Sequence, residues 1–334
     1  MLYNHIETSM SRKLFALSLT ATLMGGAAYA ETPQVAVDIA PVHSLVARVM
    51  DGIGKPDLII QPGASPHEYS LRPSEASALQ AADLVFWIGP DLTPWLTDTI
   101  GTLASDAVVT ELMEADGTIE LEFREGALFE AHDHDDHGDD DDHDDHGDND
   151  DHDEAESGHE GHDHGAHDPH AWLSPKNAMN WLNVIAGQLS AVDPDNAGAY
   201  FANAAAGRTE IKTLIGEVTA TLDPVRGGQF IVFHDAYQYF EMDFDFPASG
   251  AISISDASDP SPARIAKIQA RIAEQGIDCV LAEPQFNPGL VATVLDGTDA
   301  QTGILDPLGS DLELGPAFYP QLIRNLSNVL ADCM

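Results

Sequence analysis

The run Leu84–Ile88 has no polar side chain, and it constrains this fold more than any other feature of the chain. A five-residue apolar run bounded by Gly89-Pro90 reads as a strand buried on both faces, which needs helices on either side of its sheet. The surrounding pattern supplies them. Gln34–Ile39 is a short apolar run followed by helical spacing from Pro41 to Met50, and Asp57–Ile60 reads as a strand. Ser74–Ala82 reads as a helix with Ser74 as its N-cap, Pro94–Leu103 as another helix and Val108–Leu112 as a strand. A second alternating block runs from Phe230 to the end. It has strands at Phe230–Phe233, Cys279–Ala282 and Gly303–Leu305, and helices at Ala236–Met242, Ser261–Gln275, Pro288–Asp296 and Ala317–Ala331. Between the blocks lie an amphipathic helix, Pro175–Leu189, and then Asn196 to about Leu222, longer than the usual helix of ~8–20 residues. The expected fold class is α/β: two lobes, each a parallel β-sheet flanked by helices, joined by one long rigid helix. The expected division is an N-terminal lobe over 31–192, the linking helix over 193–226 and a C-terminal lobe over 227–334.

Residues 1–30 read as an export signal. Arg12 and Lys13 precede the apolar stretch Leu14–Ala28, and Ala28-Tyr29-Ala30 fits a small-x-small cleavage site. The mature chain would start at Glu31, outside the cytoplasm, and Met10 is an alternative initiator. A membrane anchor is the competing reading of the same run. In an exported protein the two cysteines, Cys279 and Cys333, favour a disulfide, worth ~4 kcal/mol in a chain-entropy model; two buried thiols are the alternative.

The net charge of −42 argues against nucleic acid and anionic membrane surfaces and suits a cationic ligand. Nineteen acidic residues and no Lys or Arg fall between Glu130 and His170, which leaves −23 on the rest. This tract, 130–167, is low-complexity Asp/His/Gly that cannot bury a core, and it reads as a disordered surface loop. It holds His132, His134, His137, His143, His146, His152, His159, His162, His164 and His167, each near Asp or Glu. Imidazoles with flanking carboxylates suit Zn²⁺, Cu²⁺ and Ni²⁺, but nothing here locks a geometry, so weak exchangeable sites are expected. A solvated acidic linker with incidental histidines is the alternative.

His5 lies in the signal region, and His43, near a helix start, reads as a structural or cleft-rim residue. The remaining histidines share a placement. His67 follows a strand across Gly63-Ala64-Ser65-Pro66, His234 ends a strand, and Asp306 ends another before Pro307-Leu308-Gly309; His170 sits at a loop-to-helix junction between Pro169 and Trp172. Ligands of open α/β sheets bind outside the carboxyl ends of the strands. These residues would therefore converge between the lobes, and three imidazoles plus a carboxylate or water make a tetrahedral zinc set. Taken singly, each is equally readable as a hydrogen-bonded structural residue, and Asp306 as the cap of the next turn.

At these residues the chain resembles the zinc-uptake solute-binding proteins of ABC importers, the ZnuA type. The segments that carry the resemblance are Gly63–Ser74, Asp168-Pro169-His170-Ala171-Trp172-Leu173-Ser174-Pro175, Phe233-His234-Asp235-Ala236-Tyr237, Ala282-Glu283-Pro284-Gln285-Phe286 and Leu305-Asp306-Pro307-Leu308-Gly309. An acidic His-rich loop before the second ligand is a further family feature. The resemblance implies a monomeric periplasmic protein that binds Zn²⁺ through His67, His170 and His234. It also implies a disulfide between Cys279 and Cys333, and delivery of the ion to a membrane permease with its cytoplasmic ATPase. Asp306 matches a position that supplies a carboxylate in related members. Some zinc-specific relatives carry an acid before the first ligand, where this chain has Pro66, so the fourth ligand is Asp306 or water. Manganese-binding relatives place Glu where His234 stands, and His there favours zinc. Two other functions fit a zinc-binding chain: a periplasmic buffer or chaperone acting through the tract, and a zinc hydrolase with Glu68 as base. No H-E-x-x-H helix supports the second, so no enzyme is expected.

Overall fold

The computed structural model describes Met1, residues 32–124, Phe129, residues 167–253 and residues 260–334. The stretch read as an export signal, apart from Met1, and most of the acidic tract, with its histidines from His132 to His164, lie outside the described residues. Two four-stranded sheets carry the fold, and every pairing within them is parallel. The first holds β1 (Val35–Val37), β2 (Asp57–Leu58), β3 (Leu84–Trp87) and β4 (Val108–Glu111) in the order β2-β1-β3-β4. The second repeats that order with β5 (Phe230–His234), β6 (Ala251–Ser253), β7 (Cys279–Ala282) and β8 (Gln301–Ile304) as β6-β5-β7-β8. The strand order reverses between β1 and β3 and between β5 and β7, which opens a crevice at the carboxyl end of each sheet.

Helices cover both sheets because the central strands are apolar on both faces: Leu84–Trp87 and Phe230–His234 are buried throughout. They are α1 (Ala40–Val49), α2 (Pro73–Ala81), α3 (Pro94–Leu103), α4 (Pro175–Val192), α5 (Ala197–Leu222), α6 (Gln238–Phe244), α7 (Pro262–Gln275), α8 (Pro288–Leu295) and α9 (Phe318–Cys333). Along α5, residues Tyr200, Ala204, Gly207, Ile211, Leu214, Val218 and Leu222 are buried. Their steps of three and four make one stripe, which packs on α4, α1 and α9. A Cβ on Gly207 would stand 3.0 Å from Leu182 Cδ1 and 3.1 Å from Arg48 Cγ, so the closest crossing uses the residue without one. Arg48–Glu210 and Arg324–Glu217, both at 2.8 Å, brace α5 to α1 and to α9. No helix among the described residues is long and apolar enough to cross a membrane.

Some boundaries differ from the sequence expectation for local reasons. The second helix starts at Pro73, with Arg72 as its cap residue rather than Ser74: the Glu75 carboxylate accepts the Arg72 N–H at 2.7 Å. Strand β6 is too short to show a period and was not expected. His167, the last residue assigned to the disordered tract, is ordered and forms an antiparallel bridge with Glu122. Cys279 and Cys333 form a disulfide that ties the end of α9 to the start of β7.

Candidate metal centre

The three dispersed histidines meet. His67, His170 and His234 line one small cavity of about 20 Å³, about the room of one water molecule. Trp172, Phe286, Pro66, Pro307 and Leu308 supply its apolar wall. His234 arrives as the last residue of β5, at the crevice of the second sheet. His170 precedes a single 3₁₀ turn, Ala171–Leu173, and enters from the first lobe. His67 comes from the connection between β2 and α2.

Two of the imidazoles are fixed from behind in the same way. Asp168 Oδ1 accepts the backbone N–H of His170 at 3.0 Å and its Nδ1 at 2.7 Å. Glu283 Oε1 accepts the backbone N–H of His234 at 3.2 Å and its Nδ1 at 2.8 Å. A carboxylate on Nδ1 sets the tautomer and leaves the Nε2 lone pair for a cation. Both carboxylates are buried: desolvation pushes Asp168 up to about 7, while the His170 amide, Arg124 and His234 pull it down. Burial likewise raises Glu283, with His234 opposing. The Nε2 edges converge, with His170 Nε2 and His234 Nε2 3.4 Å apart. Two nitrogens each about 2.05 Å from a tetrahedral Zn²⁺ stand about 3.3 Å apart, so this pair is spaced for one ion. The ring centroids are 5.2 Å apart for His170 and His234 and 5.8 Å for His67 and His170. Among the described residues no group of three such side chains stands at metal-holding distances.

Asp306 is not among the residues that line the cavity, but it borders it: Gln285, which lines it, donates its Nε2–H to Asp306 Oδ1 at 3.4 Å. Its Oδ1 accepts Leu308 N–H and Gly309 N–H, both at 3.0 Å, and its Oδ2 accepts Ser310 N–H at 2.6 Å together with the Ser310 hydroxyl. The carboxylate thereby shapes the turn whose Pro307 carbonyl takes the Trp172 indole N–H at 2.9 Å. Glu68 is exposed beside His67. His43 is buried on α1, 3.1 Å from the Pro56 carbonyl through Nε2, away from the cavity lining. His167 lies outside it too, with its N–H on Asp91 and its ring 3.8 Å from Glu120.

Sequence reasoning did not give roles to Asp168, Glu283 or Arg124. Asp168 stands two residues before His170, a signal readable in Asp-Pro-His. Glu283 sits just beyond β7 as His234 ends β5, and neighbouring strand ends are the available clue. Arg124 holds Asp235 through a bidentate pair and Glu241 at 2.7 and 3.0 Å. Asp235 adjoins His234, and the Asp168 N–H reaches the Leu121 carbonyl at 2.8 Å. The two roots of the acidic tract are thus fastened beside two of the three histidines.

Comparisons with known proteins show the family. The family model described as zinc-uptake complex component A, periplasmic (ZnuA), matches residues 35–333. The high-affinity zinc uptake system protein ZnuA of Brucella abortus is 49% identical over 323 residues, covering 96% of this chain and 97% of that protein. The protein of the same description from Paracoccus denitrificans is 46% identical over 308 residues, covering 92% and 93%. A crystal structure of a ZnuA deletion mutant with zinc bound superposes with a TM-score of 0.70 at 21% identity, covering 91% of this chain and 98% of that one.

Proposed function

Because the chain belongs to the ZnuA family, component A of periplasmic zinc-uptake complexes, we propose that it captures Zn²⁺ between its lobes and hands it to the permease of an ABC importer. The ligands in this reading are His67, His170 and His234, with Asp306 or water in the fourth position; the Asp306 oxygens accept hydrogen bonds from their own turn, as ligating carboxylates commonly do. The observation that carries it is the 3.4 Å separation of two Nε2 atoms, each on an imidazole anchored by a buried carboxylate. An all-imidazole set favours zinc over manganese, which suits oxygen ligands. The family's role is uptake, not catalysis.

The rest of the chain takes its place around that site. Residues 1–30 direct export and are removed near Ala30, and the mature protein acts as a monomer. Lobes 31–192 and 227–334 are joined by 193–226. The histidines of the tract, His132 to His167, gather zinc by weak exchangeable contacts. The test is chelator competition on the mature protein and on the alanine variants of His67, His170 and His234. Each variant should lose zinc affinity by about two orders of magnitude or more. Undiminished binding in all three would refute the assignment.

A further inference from the structure

We infer that Trp95 is a positioning residue for metal retention: its indole N–H latches the loop that carries His67 and so sets how fast zinc leaves. The inference rests on the reading of His67 as a ligand. His170 and His234 are buried on ordered elements, whereas His67 is part-exposed on the connection 59–72. Of the three it is the ligand that a loop movement can withdraw.

The peptide unit joining Pro66 to His67 is held at both polar ends. Its carbonyl accepts the Trp95 Nε1–H at 2.8 Å, and its N–H donates to Ser65 Oγ at 3.2 Å. A peptide is planar, so fixing both ends fixes the plane that carries the His67 Cα and thus the point from which its side chain starts. The Ser65 contact is internal to the loop and travels with it. The Trp95 contact reaches α3, a separate element that starts with Pro94 in its first turn on the buried Thr93. The Tyr69 ring lies against the Trp95 ring at 5.8 Å, and the Tyr69 hydroxyl reaches buried Glu75 at 2.8 Å. Closing the loop on Trp95 therefore leaves His67 facing His170 and His234. Opening it breaks the Trp95 hydrogen bond and turns that imidazole away.

Trp95→Phe keeps a ring against Tyr69 and removes the N–H. Zinc release from the full mature chain, followed by stopped-flow mixing with excess chelator, should accelerate about three- to tenfold, as expected for one neutral hydrogen bond. The association rate should stay near wild type, and the melting temperature of the metal-free protein should fall by no more than about a few degrees. A release rate equal to wild type, with His67→Ala still losing zinc, would overturn the latch and leave the site intact. If His67→Ala also retains zinc, the ligand assignment itself fails. A mutation-free measurement guards against misfolding of the variant. In zinc-loaded wild type, amide hydrogen exchange over 63–69 should proceed at least as fast as zinc is lost. Exchange slower than release would show that the metal escapes with the latch shut, which also overturns the inference.

Discussion

Glu283 and Asp168 each use one oxygen to hold both the amide and the ring of a histidine, so each imidazole has its backbone and side chain set by the same group. Replacing Glu283 with Ala frees the His234 ring to rotate and to take the other tautomer. Zinc affinity should fall about 10–100-fold, the usual cost of losing such a partner, and calorimetric titration would measure it. Glu111 offers a test of a different kind. Burial, then the neighbouring charges of Glu114 and Asp91, pushes its carboxyl up to about 7. A carboxyl raised on folding contributes stability that is complete below its unfolded value of about 4.5 and is lost as the pH rises through 7. Glu111→Gln should therefore be more stable than wild type at pH 8, by about 1 kcal/mol once solvent screening of a half-buried group is allowed for. Below pH 4.5 that advantage should vanish in thermal melts.

At the scale of elements, the parallel strands put their carboxyl ends at the metal centre and their amino ends at the far side of each lobe. The Cys279–Cys333 disulfide joins the first residue of β7 to the last of α9, at the far side. At its other end α9 presents Tyr319, whose hydroxyl holds the Trp172 carbonyl at 2.9 Å beside His170. Removing both cysteines as serines should lower stability by about 2–4 kcal/mol, read from denaturant unfolding. Zinc affinity should change by less than about threefold, because the lost constraint acts mainly on the unfolded chain. Most elements were readable from apolar runs and their punctuation. Strand β6, Ala251–Ser253, was not, since three residues carry no period and its pairing partner β5 is nearly twenty residues away.

For the whole molecule, the bonds across the lobes indicate that they move little as bodies. Arg124 with Asp235 and Glu241, Trp172 with Pro307, Tyr239 with Leu121 and Asp168, and Ser44 with Gly315 all span the division. In the proposed reading, with capture at His67, His170 and His234, the acidic tract has an accessory part. Deleting 131–166 should leave one tight zinc site, because the three histidines and their carboxylates are all outside it. Calorimetry should lose only the weaker, multiple binding events; loss of the tight site would instead favour a buffer acting through the tract.

By itself the sequence determined the two-lobe parallel architecture, the long helix, and the residues able to bind a metal. These follow from local pattern and side-chain chemistry, which are properties of neighbours in the chain. Only the tertiary structure decided where the candidates point and what they touch. It turned the Asp306 carboxylate into its own turn and set Glu283 behind His234 from 49 residues away. It brought His170 Nε2 and His234 Nε2 to the spacing of one tetrahedral ion. Side-chain direction and through-space partnership depend on the packing of distant elements, and a one-dimensional pattern carries no record of that.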